Sequence, residues 1–190
     1  NDPRFGDIVL MQHVKDLMMY VMAKEKVCRT ENDCQRDCFQ AKERMKLTHP
    51  NLMTMIDFSC EDFTDATGTQ AFRVTGYYEY LPMDLETDIV QRAKTGAYYT
   101  ASQLLRMSEG VLSALAYLKS LKMIHSDVRP KYISVPTEDP QGQYKLLDRL
   151  GDALAPNKVQ VSNFKKSRPL YVSPAFFEAI SNSKTKIRHN

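Results

Sequence analysis

Apolar and polar residues alternate in two runs near the start of the chain. The first run covers residues 8–12, and residues 17–27 are again rich in apolar side chains. A period of two residues is typical of a strand that buries one face. The pattern predicts two antiparallel strands joined by a short turn around residues 14–16.

A helix is predicted directly after the second strand. Thr30 is followed by acidic residues, and a threonine cap with acidic side chains in the first turn is a helix start signal. The helix is expected to run to about Leu47, because Pro50 disfavours the helical conformation in the residue before it.

Two further strands complete the predicted sheet. They cover residues 52–58 and 71–80, with a polar loop over residues 61–70 between them. The first 80 residues therefore predict a small antiparallel sheet with one helix.

The second half of the sequence has the period of helices. Residues 84–93 form a short amphipathic pattern, and residues 100–121 form a longer one. The long helix is expected to bury one face of its surface. That face carries Leu104, Val111, Leu115 and Leu118.

After the long helix the sequence predicts a short β-ribbon from residues 133–135 and 144–147. A long loop is expected to follow, to about Pro174. The basic tail, residues 184–189, is expected to lie in solvent. Together with the sheet of the first half, these elements predict an α+β fold.

Composition narrows the class of protein. Hydrophobic residues make up 43% of the 190 residues and charged residues 26%, which is typical of a globular chain. The 26 basic and 23 acidic residues give a net charge of +3, too small an excess to favour nucleic acid as the main partner. The apolar runs are too short for a membrane span, and with no secretion signal visible an intracellular compartment is expected.

The four cysteines are Cys28, Cys34, Cys38 and Cys60. Cys34 and Cys38 are four residues apart in the predicted helix, but the paired CxxC or Cys/His spacing of a zinc site is missing. The sequence therefore favours reduced thiols over a metal site.

Six segments, in order along the chain, resemble the eukaryotic protein kinase family. They are residues 5–8 (FGDI), 49–58 (HPNLMTMIDF), 77–85 (YYEYLPMDL), 125–132 (HSDVRPKY), 145–152 (KLLDRLGD) and 171–180 (YVSPAFFEAI). They are similar to the glycine-rich loop, the stretch after the regulatory helix, the hinge, the catalytic loop, the DFG segment and the APE segment. The resemblance implies a two-lobed fold, with residues 1–80 as an N-lobe with a partial first strand. Residues 81–190 would form a mainly helical C-lobe, truncated after the last segment.

The resemblance also implies catalytic and metal-binding positions. Asp127 stands at the position of the catalytic base, and Arg129 replaces the lysine of that loop. Asp148 matches the metal-binding aspartate, but Tyr132 replaces the second metal ligand, and a phenol binds Mg²⁺ poorly. Ser126 replaces the arginine of the catalytic loop.

For nucleotide binding, the resemblance points to Gly6, Lys24, Glu79 and Tyr80. Gly6 is the remaining glycine of the phosphate loop. Ala23 falls at the position of the phosphate-binding lysine, so Lys24 would serve only after a one-residue slip and is otherwise expected to be an exposed lysine.

Other positions depart from the family in a way that weakens catalysis. Gln40 stands where the lysine's glutamate partner would lie, and Arg44 and Arg149 fall in positions of an apolar stack. A buried guanidinium without a partner is costly, so the active assembly is disfavoured.

These departures predict a catalytically impaired, pseudokinase-like domain that acts as a protein-interaction or scaffold module. Protein partners are expected to cover the C-lobe, and no cofactor is expected. The alternative is a divergent Ser/Thr kinase that uses Lys24, Asp127 and Asp148 with ATP and Mg²⁺ to transfer the γ-phosphate to protein. A third hypothesis is a structural component of a large assembly.

Overall fold

A computed structural model describes most of the first three quarters of the chain. The described residues are 2, 4–12, 20–125, 127–137, 141–147, 154–155, 158–160, 174, 178, 182 and 186–188. The predicted turn around residues 14–16 lies outside them, as do most residues of the segment 171–180.

Four antiparallel strands form one sheet in the order β1-β2-β4-β3. The strands are β1 (Val9–Gln12), β2 (Tyr20–Cys28), β3 (Met55–Thr64) and β4 (Gln70–Glu79). Each prediction of a strand in the first half is therefore confirmed, and the chain is a mixed α+β protein.

The loop between β3 and β4 is shorter than predicted. β3 continues to Thr64 and pairs there with Gln70, so the connection is residues 65–69 and not 61–70. The prediction was wrong because β3 is an edge strand, and its polar side chains are accommodated at the surface. Glu61, for example, accepts a 3.1 Å hydrogen bond from Arg73 on β4.

Helix α1 (Glu31–Met45) connects β2 to β3 and packs against β3 and β4. The hydroxyl of Thr30 accepts a 3.1 Å hydrogen bond from the amide of Asp33, which confirms the predicted cap. The buried residues of the helix are Cys34, Asp37 and Arg44. Two of the three can carry charge, so this face of α1 is not a simple apolar stripe.

Two further helices follow the sheet, α2 (Leu85–Thr95) and α3 (Ala101–Ser120). Asp84 caps α2 through a 2.8 Å bond from the amide of Thr87. Thr100 and Gln103 form a reciprocal capping box at the start of α3. Both helix predictions are confirmed to within two residues at each end.

The predicted buried face of α3 is confirmed at three of its four positions and wrong at Leu104. Leu118 is buried, and Val111 and Leu115 are partly buried against the same core, but Leu104 is 44% exposed. The fully buried positions near the middle of the helix are the small residues Gly110 and Ala114. A β-carbon at Gly110 would lie 2.8 Å from Nδ2 of Asn51, so the helix lies very close to that segment. This close approach depends on small residues, and the spacing of the large apolar residues did not predict it.

Short strand pairs form the rest of the described chain. β6 (Ile133–Ser134) pairs with β7 (Lys145–Leu146), which confirms the predicted ribbon. β5 (Ile124–His125) pairs with β8 (Leu154–Ala155), and β9 (Lys158–Gln160) pairs with β10 (Lys186–Arg188). The prediction of a long loop was therefore wrong at β8 and β9, and the basic tail, which was expected to lie in solvent, contains the strand β10. In β10 the basic residues Lys186 and Arg188 lie on either side of Ile187, and this alternation is compatible with a strand.

Three groups of buried side chains hold these elements together. The first joins α2, α3 and the β6–β7 ribbon, and the second joins the sheet to the second half of the chain. The third, with Cys28, Cys34 and Val74, lies between α1 and the sheet. Among the described residues, no helix has the length and apolar character needed to cross a membrane.

Candidate functional site

The sheet meets the second half of the chain at a group of buried side chains that we call the junction. Met22 and Tyr78 come from β2 and β4, and Tyr132 and Leu147 come from the second half. Phe5, from the start of the chain, is buried among them. The N-terminal loop therefore reaches the place where the two halves meet.

Arg4 fixes this loop to the segment that follows β4. Its Nη1 donates a 2.6 Å hydrogen bond to the carbonyl of Leu81, and its Nη2 lies 2.9 Å from a carboxylate oxygen of Asp2. The hydroxyl of Tyr132 donates to the Arg4 carbonyl at 3.3 Å. Burial raises the pKa of the Asp2 carboxyl, but the hydrogen bonds and charge of Arg4 outweigh it and hold that pKa below its usual range.

Gly6 and Lys24, two of the predicted nucleotide contacts, both bind the N-terminal loop itself. The Gly6 amide donates a 2.7 Å hydrogen bond to the Asp2 carbonyl, and the Asp2 amide returns one of 2.8 Å. The Lys24 ammonium donates to the carbonyls of Phe5 at 2.9 Å and Asp7 at 3.0 Å. The prediction of an ordinary exposed lysine was therefore wrong, because backbone oxygens of the loop lie within its reach.

Ala23 is buried, as predicted. Its neighbour Lys24 is partly buried and lies on the opposite side of β2, since successive strand residues alternate between faces. The next residue on that side of the strand, Lys26, binds α1.

Glu79 and Tyr80 lie beside the junction. The Glu79 carboxylate accepts bonds of 2.8 and 2.6 Å from the Lys145 ammonium, and it accepts a 2.6 Å bond from the amide of Thr54. Tyr80 packs against the junction and lies 6.0 Å from the ring of Tyr20. Glu79 thus connects three segments of the chain.

The predicted catalytic residues Asp127 and Arg129 bind each other. Asp127 is buried, and its carboxylate accepts hydrogen bonds from Nε of Arg129 and, at 2.6 Å, from Nη2. These bonds, and the charge of Asp127, raise the pKa of Arg129 despite its desolvation. The pair is a bidentate, charge-assisted contact within one loop.

His125 and Tyr132 support that loop. The Nε2 of His125 lies 2.7 Å from the Leu147 carbonyl, so Nδ1 is left to accept the amide hydrogen of Asp127 at 3.4 Å. The Arg129 guanidinium lies 5.2 Å from the centre of the Tyr132 ring. Asp148, the predicted metal ligand, lies outside the described residues, as do Ser126 and Arg149.

Asp37 is the residue of α1 that forms a charged contact with the sheet, and it was not predicted from the sequence. Gln40 is exposed, so it does not face the sheet. The buried Asp37 carboxylate accepts bonds from the Lys26 ammonium at 2.8 Å and the Cys28 thiol at 3.2 Å. The helical period would have found it, because Asp37 is three residues from Cys34 and seven from Arg44.

Arg44 is buried, as its position in the resemblance implied, but its surroundings are not purely apolar. Its Nη2 donates a hydrogen bond to the carbonyl of Met53. A buried guanidinium bound to a backbone oxygen costs far less than one in an apolar stack.

Three cysteines also converge, and they form the metal-capable cluster found among the described residues. The Sγ atom of Cys34 lies 2.9 Å from that of Cys60 and 4.0 Å from that of Cys38. Cys60 was missed as a member because it lies on β3, far from the other two in sequence.

Neither comparison with known proteins assigns a family to this chain. The sequence matches no protein-family model, and a search of curated proteins returns no match. The function that follows is therefore inferred from the contacts of the junction and of the loop that contains Asp127.

Proposed function

We propose that the chain is a catalytically impaired, protein kinase-like domain that acts as a protein-interaction or scaffold module. The observation that carries this proposal is the position of the N-terminal loop. Arg4 binds the Leu81 carbonyl and Phe5 lies in the junction. The resemblance to kinases assigns this place, between the sheet and the second half, to the nucleotide.

The order of elements supports the kinase-like part of the proposal. An antiparallel sheet with one helix comes first, and a mainly helical half follows residues 79–83. The segments 77–85 and 125–132, which resemble a hinge and a catalytic loop, both lie beside the junction through Glu79, Tyr80 and Tyr132.

The contacts of the predicted catalytic and nucleotide-binding side chains support the proposal that catalysis is impaired. Phosphoryl transfer requires groups that hold phosphates, position a hydroxyl and neutralise charge. Lys24 is bound to two carbonyls of the N-terminal loop, and Asp127 is bound to Arg129. Both contacts would have to break before these residues could act on a nucleotide or a hydroxyl.

The surface of α3 supports an interaction role. Leu105 is 71% exposed and Leu112, seven residues later on the same face, is 64% exposed. Tyr98, just before the helix, is exposed as well. Neighbouring exposed apolar side chains are typical of surfaces that bind other proteins.

A titration with nucleotide tests the proposal that catalysis is impaired. Thermal unfolding of the full chain is measured with ATP, with and without Mg²⁺, and we expect no change in Tm. A ligand present at one hundred times its Kd would add about 2.7 kcal/mol of stability, so binding would be visible.

A phosphotransfer assay with a generic protein substrate completes that test. We expect the wild-type chain and the Asp127→Asn variant to give the same background signal. A Tm increase with Mg-ATP, together with phosphorylation that Asp127→Asn removes, would reject the proposal in favour of the divergent Ser/Thr kinase.

The interaction role is tested on α3 by fluorescence of a hydrophobic dye and by light scattering. The double variant Leu105→Glu with Leu112→Glu is expected to lower dye fluorescence and any concentration-dependent association. The control is Asn32→Asp with Gln40→Glu, which adds the same charge at exposed positions of a different helix, α1. Equal behaviour of the two double variants would remove α3 as the interaction surface.

A further inference from the structure

Three cysteine thiols from two different elements meet where α1 packs on β3. Cys34 and Cys38 are one turn apart on the helix, and Cys60 is in the strand. The three sulfur atoms all lie within 4.8 Å of one another. Cys34 is buried, Cys38 is half-buried and Cys60 is exposed, so the cluster opens to solvent on one side.

We propose that Cys34, Cys38 and Cys60 form a binding site for a thiolate-preferring metal ion, Zn²⁺ or Cu⁺. Zinc–sulfur bonds are about 2.3 Å long, so two sulfurs of a tetrahedral shell lie roughly 3.8 Å apart. The distance between Cys34 and Cys38 is 4.0 Å, close to that value. The distance between Cys34 and Cys60 is 2.9 Å, so metal binding requires the side chain of the exposed Cys60 to rotate and widen it.

The scaffold of the site is regular secondary structure. α1 is capped by Thr30 four residues before Cys34, and Cys60 lies in the β3–β4 pairing opposite Val74. Val74 in turn packs against Cys34. Ligands on a helix and a strand are held more firmly than ligands on loops. A bound ion would therefore connect α1 to the sheet.

The charge balance of the site is set by proton release. The thiolate is the metal ligand, so each thiol that binds Zn²⁺ gives its proton to solvent and forms one sulfur–metal bond. Three such bonds leave one negative charge on a zinc site, and Lys42 lies one turn after Cys38 on α1.

Because Cys60 is exposed, water can reach this side of the cluster and complete a four-coordinate shell. Soft thiolate donors select Zn²⁺ and Cu⁺ over Mg²⁺ or Ca²⁺, which prefer oxygen. The site is thus chemically separate from any Mg²⁺ site that a kinase would need. Its presence or absence does not depend on the proposed function.

The fourth cysteine provides a matched control. Cys28 lies in the same buried group as Cys34, but its thiol donates to the Asp37 carboxylate and it is not a member of the cluster. A Cys28→Ser variant therefore changes one cysteine of the same region without removing a ligand.

The test uses the reduced full chain, with Zn²⁺, Cu⁺ under anaerobic conditions, and Co²⁺ as a spectroscopic probe. One equivalent of Co²⁺ is expected to give sulfur-to-metal charge-transfer absorption that Zn²⁺ removes. Affinity is expected to rise with pH, because protons are released. Cys38→Ser and Cys60→Ser, at the less buried positions, are expected to weaken binding by at least about tenfold, the loss seen even for outer-shell partners. Cys28→Ser is expected to bind as the wild type does.

Three outcomes would overturn the metal site. The reduced protein could bind none of the three ions. Cys28→Ser could lose as much affinity as Cys60→Ser, or both Cys38→Ser and Cys60→Ser could bind the ions as the wild type does. Mass spectrometry adds a further check, since Cys34 and Cys60 are close enough to form a disulfide. If the chain forms that disulfide with oxygen even when Zn²⁺ is in excess, the pair is a redox site and the metal assignment fails.

Discussion

The guanidinium of Arg4 lies 2.6 Å from the backbone carbonyl of Leu81, a residue 77 positions later in the chain. The same side chain is 5% exposed and pairs with Asp2 at 2.9 Å. Phe5, the next residue, is buried with Met22 and Tyr78 of the sheet. A charged and an apolar side chain together thus attach the N-terminal loop to both halves of the molecule.

Replacing Arg4 with alanine is expected to destabilise the protein by about 1.5–3 kcal/mol, the usual loss for a buried hydrogen bond with a charged group. The Leu81 carbonyl and the Asp2 carboxylate would both lose a donor. Urea unfolding measures the change. Arg29→Ala is the control, because the Arg29 side chain is 65% exposed in its ion pair with Asp65. Equal midpoints for the two variants would show that the Arg4 contacts contribute nothing.

The pair of Asp127 and Arg129 makes a second prediction. Asp127→Asn removes the negative charge and one of the two acceptor oxygens that bind Arg129, so we expect a loss of about 1.5–3 kcal/mol in the free energy of unfolding. Arg129→Gln and the double variant complete a thermodynamic cycle, in which the coupling energy is expected to be about 1–3 kcal/mol. A catalytic base that is not paired with Arg129 would give a coupling near zero.

Local signals in the sequence predicted most of the secondary structure. Thr30 was identified as a helix start because a cap acts on residues next to it in sequence. The start of α3 was predicted from the amphipathic period of residues 100–121. The same holds for the strands, whose period of two is visible within ten residues. Leu104 marks the limit of this reasoning, since its spacing fits the buried face but its side chain is 44% exposed, whereas Gly110 approaches Asn51 closely.

The site was harder to predict because its contacts join distant parts of the chain. No local pattern places Cys60 next to Cys34, or Arg4 next to Leu81. Counting from His49 assigned the helix partner to Gln40, although the residue that faces the sheet is Asp37. A motif count gives a position in the sequence, whereas the buried face depends on how the helix packs.

Gly110 gives a third prediction, on the packing of α3. Alanine at this position would usually favour a helix by about 1 kcal/mol. Here its β-carbon would lie 2.8 Å from Nδ2 of Asn51 and 3.1 Å from the Tyr144 carbonyl, two atoms that share a 2.9 Å hydrogen bond. We expect Gly110→Ala to destabilise the protein by about 1–3 kcal/mol.

Chemical denaturation checks this change against Ser108→Ala, an exposed site on the same helix. The control is expected to stabilise slightly, by a few tenths of a kcal/mol, because only helix propensity changes. A stabilising Gly110→Ala would mean that α3 does not lie so close to Asn51.

The last prediction concerns alkaline pH and the Cys28 thiol. Burial is the largest cause that raises the pKa of Cys28, and the hydrogen bond to Asp37 and the negative charge of Asp37 raise it further. Together they move this pKa from its usual 9.0 to about 11. The folded protein therefore keeps this proton at pH values where the unfolded chain has lost it. The resulting stabilisation is complete below about pH 9 and is lost as the pH rises to about 11.

The free energy of unfolding, measured between about pH 8 and 11, is expected to fall more steeply for the wild type than for Cys28→Ala, which cannot titrate at this position. Val27→Ala, an exposed neighbour without an ionisable group, is the control and should run parallel to the wild type. Since Cys28 and Lys26 bind the same Asp37 carboxylate, the slope also reports on how firmly α1 is held to β2. A Cys28→Ala curve parallel to the wild type would mean that the Cys28 thiol does not donate to a buried Asp37.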